Sequence, residues 1–289
     1  MDTAVFSVVY PGMEAYFPEF LSTLSKQTDR NFTLFLINDG LPNIDGFLKR
    51  ADLDVKVKDA GGSPAALRKM GIRWLQEVGA KIIIFADSDD YFTKNRVEIS
   101  RDIMVKYDLV FNELILTSKG VADSTPMLGT YFSDGEIVFC KHIKMANCMG
   151  LSNTALRVDS IPSYIDRIPE SIIAFDWALF VLCLHAGARG VFTKKTVTYY
   201  RQYGNNLASP HSFTEVQILR GVQVKRDHYQ ILSRFYEEYA HLADVFGELL
   251  VQLQSDNMLR QKYCQAVRKH APAMPLWWEP IKSLKELGL

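Results

Sequence analysis

The chain has 289 residues, a length that suits one large α/β domain with an appendage or two small domains. Apolar residues make up 48% of it, which allows a substantial core and excludes wholesale disorder. Basic and acidic residues number 33 each, and this zero formal charge argues against broad nucleic-acid binding.

In chain order, Val5 to Tyr10 reads as a buried strand stopped by Pro11-Gly12. Met13 to Gln27 carries Phe17, Phe20, Leu21 and Leu24 at helical spacing. Phe32 to Ile37 is a second strand, ended by Asn38-Asp39-Gly40, and Val55 to Lys58 a third, leading to Gly61-Gly62-Ser63-Pro64. Ala65 to Val78 is a helix and Ile82 to Ala86 a fourth strand. This alternation predicts a mainly parallel sheet flanked by helices. Asp108 to Asn112 is a further strand, and the run from Leu114 to Cys140 suggests antiparallel elements or a loop. A helix is expected over Phe175 to Ala186, then two strands, Val191 to Thr193 and Thr196 to Tyr200. Phe213 to about Lys269 is strongly helical, and the tail sets Pro272, Pro275 and Pro280 around Trp277-Trp278. The expected division is 1–210, with halves 1–112 and 113–210, followed by a helical extension over 211–289.

Met1-Asp2-Thr3-Ala4 has no basic stretch, so no signal peptide is expected. No apolar run is long enough to span a bilayer. Cys140, Cys148, Cys183 and Cys264 form no CxxC pair and read as reduced thiols. Cys140, His142 and Cys148 lack the spacing of a zinc site.

The sharpest signal is the fourth strand's end, where an apolar run stops at Asp87, Asp89 and Asp90. Ligands bind at the carboxyl edge of open α/β sheets. Clustered carboxylates repel one another unless a cation neutralises them, and an oxygen-only set suits Mg²⁺ or Mn²⁺ sharing its shell with a phosphate. The plain alternative is an acidic turn that solvates a strand end and caps the next helix. Asp39 and Asp176 also sit at ends of elements, and Arg68 lies in the helix after the glycine loop.

The stretches VVYPG, the spaced Gln27, LINDG, GGSPAALRKMGI, IIIFADSDD, FDWALF and YYRQYGNNLAS run in order from about residue 5 to 209. In their order and spacing the chain resembles the inverting nucleotide-sugar glycosyltransferases of family two, which have the GT-A fold. The resemblance implies that Pro11 and Asp39 hold the nucleotide base and that Arg68 lies near base and phosphates. Asp87 and Asp89 match the DxD signature: Asp87 would contact the ribose or the metal shell, and Asp89 would bind the divalent ion. Asp176 would be the catalytic base, and Arg201 would bind phosphate. The alternatives are an Asp-Gly turn for Asp39, a solvated helix residue for Arg68, an N-cap for Asp176 and a structural salt bridge for Arg201. Asp90 would support the site or cap a helix, and Trp177 would pack or line the acceptor pocket. The chain departs from the family at Phe175, where Glu is common, at Lys69, where Asn is common, and at Tyr203, where His is common.

The implied reaction is metal-assisted transfer, with Mn²⁺ or Mg²⁺, from a nucleotide-sugar donor, UDP-sugar by preference. The acceptor would be a glycan or lipid-linked glycan of surface polysaccharide synthesis. The implied location is cytoplasmic, with peripheral contact at the inner face of the membrane as a further option. That option draws on Arg260, Lys262, Arg268, Lys269 and the Trp pair. For the apolar helical faces, packing on the catalytic domain competes with a homodimer interface. A non-catalytic nucleotide-sugar-binding protein and a haloacid-dehalogenase-type phosphatase are the competing functions.

Overall fold

Thr3–Val9 forms the central strand β1, in which every residue but Val8 is buried. Being covered on both faces, it reads as a continuous apolar run rather than an alternating one. The computed structural model describes residues 2–118, 121–202 and 214–270. From β1 the chain runs through α1 (Phe17–Ser25), β2 (Thr33–Asn38), α2 (Ile44–Leu48), β3 (Val55–Asp59), α3 (Pro64–Glu77) and β4 (Ile82–Phe85). β5 (Tyr91–Phe92), α4 (Arg96–Met104), β6 (Leu109–Ser118), β7 (Val121–Pro126), β8 (Ile137–Val138) and α5 (Cys140–Ile143) follow. β9 (Thr154–Arg157), α6 (Phe175–His185), β10 (Gly190–Gln202), α7 (Glu215–Leu232), α8 (Ala240–Ser255) and α9 (Asn257–His270) complete the chain.

One mixed sheet has the order β3-β2-β1-β4-β9-β6-β10-β5, with β7 beside β6 and β8 beside β10. β3, β2, β1 and β4 are mutually parallel, as are β6 and β10. β9 is antiparallel to both β4 and β6 and joins the two halves. All the parallel strands on the β1 side therefore end at one edge, which carries Pro11, Asp39, the Gly61-Gly62 loop and Asp87.

Several elements differ from the sequence expectation. α1 begins at Phe17 rather than Met13, because residues 11–16 turn first and Pro18 occupies the first turn. The two strands expected at 191–200 are one strand, β10, with a register shift between Thr193 and Val197. Asp134 stabilises that bulge: its Oδ1 accepts from Thr193 Oγ1 at 2.9 Å and Lys194 N at 2.8 Å. β6 extends well past Asn112, paired with β10 throughout. β9, α2 and α4 carry no expectation from the sequence. Pro272, Pro275, Pro280 and Trp277-Trp278 lie outside the described residues. Among those described, no helix is long and apolar enough to cross a membrane.

The C-terminal helices pack on the sheet layer through α6. His228 of α7 stacks on Trp177 of α6, ring centroids 3.8 Å apart. Tyr229 Oη donates to Lys144 O at 2.7 Å and Tyr164 Oη shares a bond with Tyr236 Oη.

α3 packs on β1 with Gly71 directly against the Phe6 ring, where an added Cβ would overlap ring carbons. Both elements are rigid at this contact, so Gly71→Ala should cost about 1–3 kcal/mol through overpacking. A urea titration should show a lower midpoint with an unchanged slope.

Candidate active site

The local folding of the acidic turn explains its exposure. The Asp90 N–H closes the turn on Asp87 O at 3.1 Å, and Ser88 Oγ donates to Val8 O at 2.9 Å, tying the turn to β1. Asp90 is buried: its Oδ1 accepts the Arg201 N–H at 2.8 Å and its Oδ2 accepts the Ser152 hydroxyl. Its carboxylate is thus committed to scaffolding. Asp87 and Asp89 are left half-buried at the edge.

Burial is the main force pushing the Asp87 carboxyl up, to about 6; Arg68 opposes it, and the Asp89 and Asp176 charges add to it. Burial, then Asp89 and Asp87, push Asp90 well above the ordinary range. Two cations answer these charges. Arg68 Nη2 lies 3.8 Å from Asp87 Oδ1. Arg96, buried beneath the turn, donates from Nη2 to Phe85 O at 2.6 Å. Its guanidinium is driven down to about 9 by burial and pulled back by Asp90 and Asp87.

Asp176 joins this group from the far side of the chain. It occupies the first turn of α6, whose N-cap is Ala174, so the N-cap alternative does not hold. Its Oδ1 accepts the Trp177 N–H at 2.8 Å and its Oδ2 accepts Asn147 Nδ2–H at 3.1 Å. Burial raises its pKa, while the Trp177 N–H, Arg68 and Asn147 hold it down. The loop entering α6 is anchored to α3, since Lys69 Nζ donates to Ile168 O at 2.9 Å and Ser63 Oγ to Glu170 O at 2.7 Å. Lys69, a departure from the family, therefore has a structural task. Phe175, another, is buried in the core.

Pro11 and Asp39 lie at the other end of the edge. A Cβ added to Gly40, which has a φ of +87°, would lie 3.7 Å from Pro11 Cγ. One added to Gly61 would lie 3.5 Å from Asp39 Oδ1, so the Asp39 carboxylate faces the glycine loop. Asn38 Nδ2 donates to Asp59 Oδ1 at 2.8 Å and joins the two strand ends beneath.

Arg201 reaches the site through its backbone. Its guanidinium bonds Glu19 Oε2 at 2.5 Å and lies over Tyr16, 4.5 Å from the ring centroid. Tyr203 lies outside the described residues. Asn147, Ser152 and Arg96 carried no sequence signal. Asn147 sits in a loop and Ser152 in a single 3-10 turn, Leu151–Asn153, both too short for periodicity, and a charged residue opening a helix reads as solvated.

Among the described residues, no three His, Cys, Asp or Glu side chains are grouped to hold a metal ion. The oxygen donors of Asp87 and Asp89, whose negative charges reinforce one another, fit a hard cation that takes its remaining ligands from a diphosphate and water.

Comparison with known proteins places this geometry in a fold class. No family model matches the chain. It is 32% identical over 98 residues to an uncharacterized glycosyltransferase of Rickettsia conorii, covering 32% of this chain and 16% of that protein. An uncharacterized glycosyltransferase of Rickettsia bellii is 29% identical over 96 residues, covering 32% of this chain and 14% of that protein. The matches thus span less than a fifth of these relatives' length. Among solved structures, S. aureus TarS residues 1–349 with UDP-GlcNAc superposes with a TM-score of 0.59 at 16% identity, covering 94% of this chain and 81% of that one. The mannosyltransferase PcManGT of Pyrobaculum calidifontis with GDP-Man and Mn²⁺ gives 0.57 at 12%, covering 94% and 83%. GalNAc-T7 with UDP, GalNAc and Mn²⁺ gives 0.57 at 12%, covering 99% and 53%. The chain has the fold of the GT-A glycosyltransferases, and both Rickettsia relatives carry a glycosyltransferase name.

The raised Asp87 pKa has a stability consequence. Between the ordinary 3.8 and about 6, the folded chain keeps a proton that the unfolded chain has lost. Stability contributed by this group therefore falls as pH rises through that window. Asp87→Asn removes the slope, so in metal-free buffer the variant should gain stability relative to wild type from pH 4 to pH 7. Urea denaturation at both pH values reads this directly, and a flat difference would rule the shift out.

Proposed function

We propose that the protein is a glycosyltransferase that moves a sugar from a nucleoside-diphosphate sugar, a UDP-sugar by preference, to an acceptor hydroxyl with inversion. The observation that carries this reading is the convergence of Asp87, Arg68 and Asp176 at one edge of a GT-A sheet, each acting electrostatically on the others. Neighbours of the same fold bind UDP-GlcNAc, UDP and GDP-Man, which supports a nucleotide-sugar donor.

The donor occupies the 1–112 half and the acceptor the 113–210 half, with 211–289 as a helical extension. The base lies against Pro11, and Asp39 accepts its N3–H in a charge-assisted bond of about 1.5–3 kcal/mol. Arg68 lies beside the diphosphate. Asp89 and Asp87 would hold Mn²⁺ or Mg²⁺ there, and the ion would supply positive charge to offset the negative charge building on the diphosphate. Asp176 takes the acceptor hydroxyl proton as that oxygen attacks the anomeric carbon. The carbon's bond to the diphosphate breaks on the opposite face, and the nucleoside diphosphate leaves. Positive charge spreads over the ring as in glycoside hydrolysis. Two hydrogen bonds, from the Trp177 N–H and Asn147, fix the direction of the Asp176 carboxylate. Its raised pKa brings it nearer the working pH, as suits a general base. The family resemblance supports a glycan or lipid-linked glycan acceptor of surface polysaccharide synthesis, with the chain at the cytoplasmic side.

A thermal-shift panel of UDP, dTDP, GDP, CDP and ADP, each with and without Mn²⁺, tests the donor class. Uracil and thymine offer the same N3–H, so both belong in it. Ligand at a hundred times its dissociation constant adds about 2.7 kcal/mol, or roughly 5–10 °C for a chain this size. One pyrimidine diphosphate should shift the midpoint in a Mn²⁺-dependent way, and no shift with any nucleotide sinks the reading.

Asp176→Asn should lower kcat by about 10²–10⁴ while leaving the nucleotide dissociation constant unchanged. The wild-type rate should rise with pH along an acid limb lying above the ordinary Asp value of 3.8, and the variant should lose that limb. Nucleotide binding without any turnover in wild type would favour a non-catalytic binding protein.

A further inference from the structure

Arg96 goes against the usual placement of a cation three times over. It is 2% exposed. It is the first residue of α4, where the positive end of the helix dipole disfavours a cation. Its Nε and Nη1 meet no hydrogen-bond partner. A buried guanidinium ordinarily needs its fork of donors filled and an ion partner close by. Here one bond to Phe85 O at 2.6 Å and a ring contact to Phe92, 4.2 Å from the guanidinium carbon, are its contacts of fixed geometry. Phe85 and Phe92 bracket the acidic turn in the sequence, so the guanidinium grips both ends of the segment that bears Asp87, Asp89 and Asp90. The charges that act on it in return are Asp90 and Asp87.

We propose that Arg96 is the resident counter-cation of the acidic turn: it neutralises Asp87 and Asp90 from beneath, lets a nucleoside diphosphate approach before a divalent ion is bound, and moderates how tightly the turn takes that ion. The proposal rests on the nucleotide-sugar reading above. It makes Arg96 a positioning residue, since it lies beneath the turn and acts on the donor only through Asp87 and Asp90. It also explains why the two donors can stay unfilled: the charge, and not the hydrogen-bonding fork, is what the turn requires.

The two affinities then respond with opposite sign. With the charge gone, Asp87 and Asp90 are no longer offset and the turn presents a more negative surface, so a divalent cation binds more tightly. A diphosphate without metal binds more weakly, because it meets those carboxylates uncompensated. A role in folding alone would weaken both.

Wild type, Arg96→Gln and Arg96→Lys are titrated calorimetrically with Mn²⁺ alone and with UDP in the presence of a chelator, after circular dichroism has established that each is folded. Arg96→Gln should bind Mn²⁺ roughly five- to tenfold more tightly and metal-free UDP more weakly by a similar factor. Arg96→Lys keeps the charge and should stay within about twofold of wild type in both. Both affinities falling together in Arg96→Gln, or neither moving, overturns the proposal. If Arg96→Gln does not fold, Arg96→Lys decides: near-wild-type affinities support the charge role, and a folded Arg96→Lys weakened in both overturns it. Wild type that takes up neither UDP nor Mn²⁺ overturns the nucleotide-sugar reading and this proposal with it. Wild-type binding with unaltered variants overturns the Arg96 role only.

Discussion

One buried carboxylate, that of Asp90, holds together the part of the molecule where chemistry is proposed. It accepts the backbone N–H at the end of β10 and the Ser152 hydroxyl just before β9, while its own N–H closes the turn after β4. Three strands distant in sequence are thereby fixed to one point. The β5–β10 pairing, Tyr199 opposite Tyr91, continues from the same point with the two rings stacked 4.6 Å apart. A buried polar group is costly unless its bonds are made, and when they are made it rigidifies its surroundings. The acidic turn is rigid for that reason, and Asp87 and Asp89 are presented rather than absorbed.

The remaining constraint is charge. Three acidic side chains within four residues would repel one another on the surface of any protein. Here the charge is divided by depth. Asp90 faces inward and is spent on hydrogen bonds. Asp87 faces Arg68 across the edge, and Arg96 lies below. The helix following the turn is itself tied down from afar: Gln27 Oε1 accepts the Val97 N–H at 3.0 Å, and Gln27 Nε2 donates to Thr93 O at 2.9 Å. This is the cap that Asn95 does not provide.

The sheet edge that carries the proposed donor site was legible in the sequence because its signals are local. An apolar run that stops at an acidic or Pro-Gly pair marks a strand end, and parallel strands bring such ends to one edge. The structure brings the ends that carry Pro11, Asp39 and Asp87 to one edge, and α3 sets Arg68 within 3.8 Å of Asp87. The residues that escaped act through non-local partners. Asn147 matters only because α6 begins beside it. Arg96 looks like a solvated charge until α4 is seen packed under the turn. Arg201 was read as a phosphate ligand or a structural ion pair, and its partner Glu19 lies far away in α1. β10 was split in two because Lys194 and Lys195 interrupt its apolar pattern, and the Asp134 contacts that carry the strand through the bulge have no signature in β10 itself.

The surroundings of Asp176 are held by a different set of forces, and they reach into the C-terminal helices. Asp176 is aimed by the N–H of Trp177, so the position of Trp177 bears directly on the proposed base. That indole donates from Nε1 to Ile143 O at 2.6 Å and is covered by the His228 ring of α7. His228 is fully buried, neither ring nitrogen has a hydrogen-bond partner, and burial, with Lys225 nearby, pushes its pKa well below the ordinary value. It is therefore a neutral flat ring at ordinary pH, and its contribution to Trp177 is stacking. α7 is in turn anchored by Tyr229 to the segment that carries Asn147, through the Lys144 carbonyl. Both groups that orient the Asp176 carboxylate, the Trp177 N–H and Asn147, thus depend on the same helix. The helical region is mechanically part of the site, although no residue of α7 touches Asp176 in the hydrogen bonds that define it.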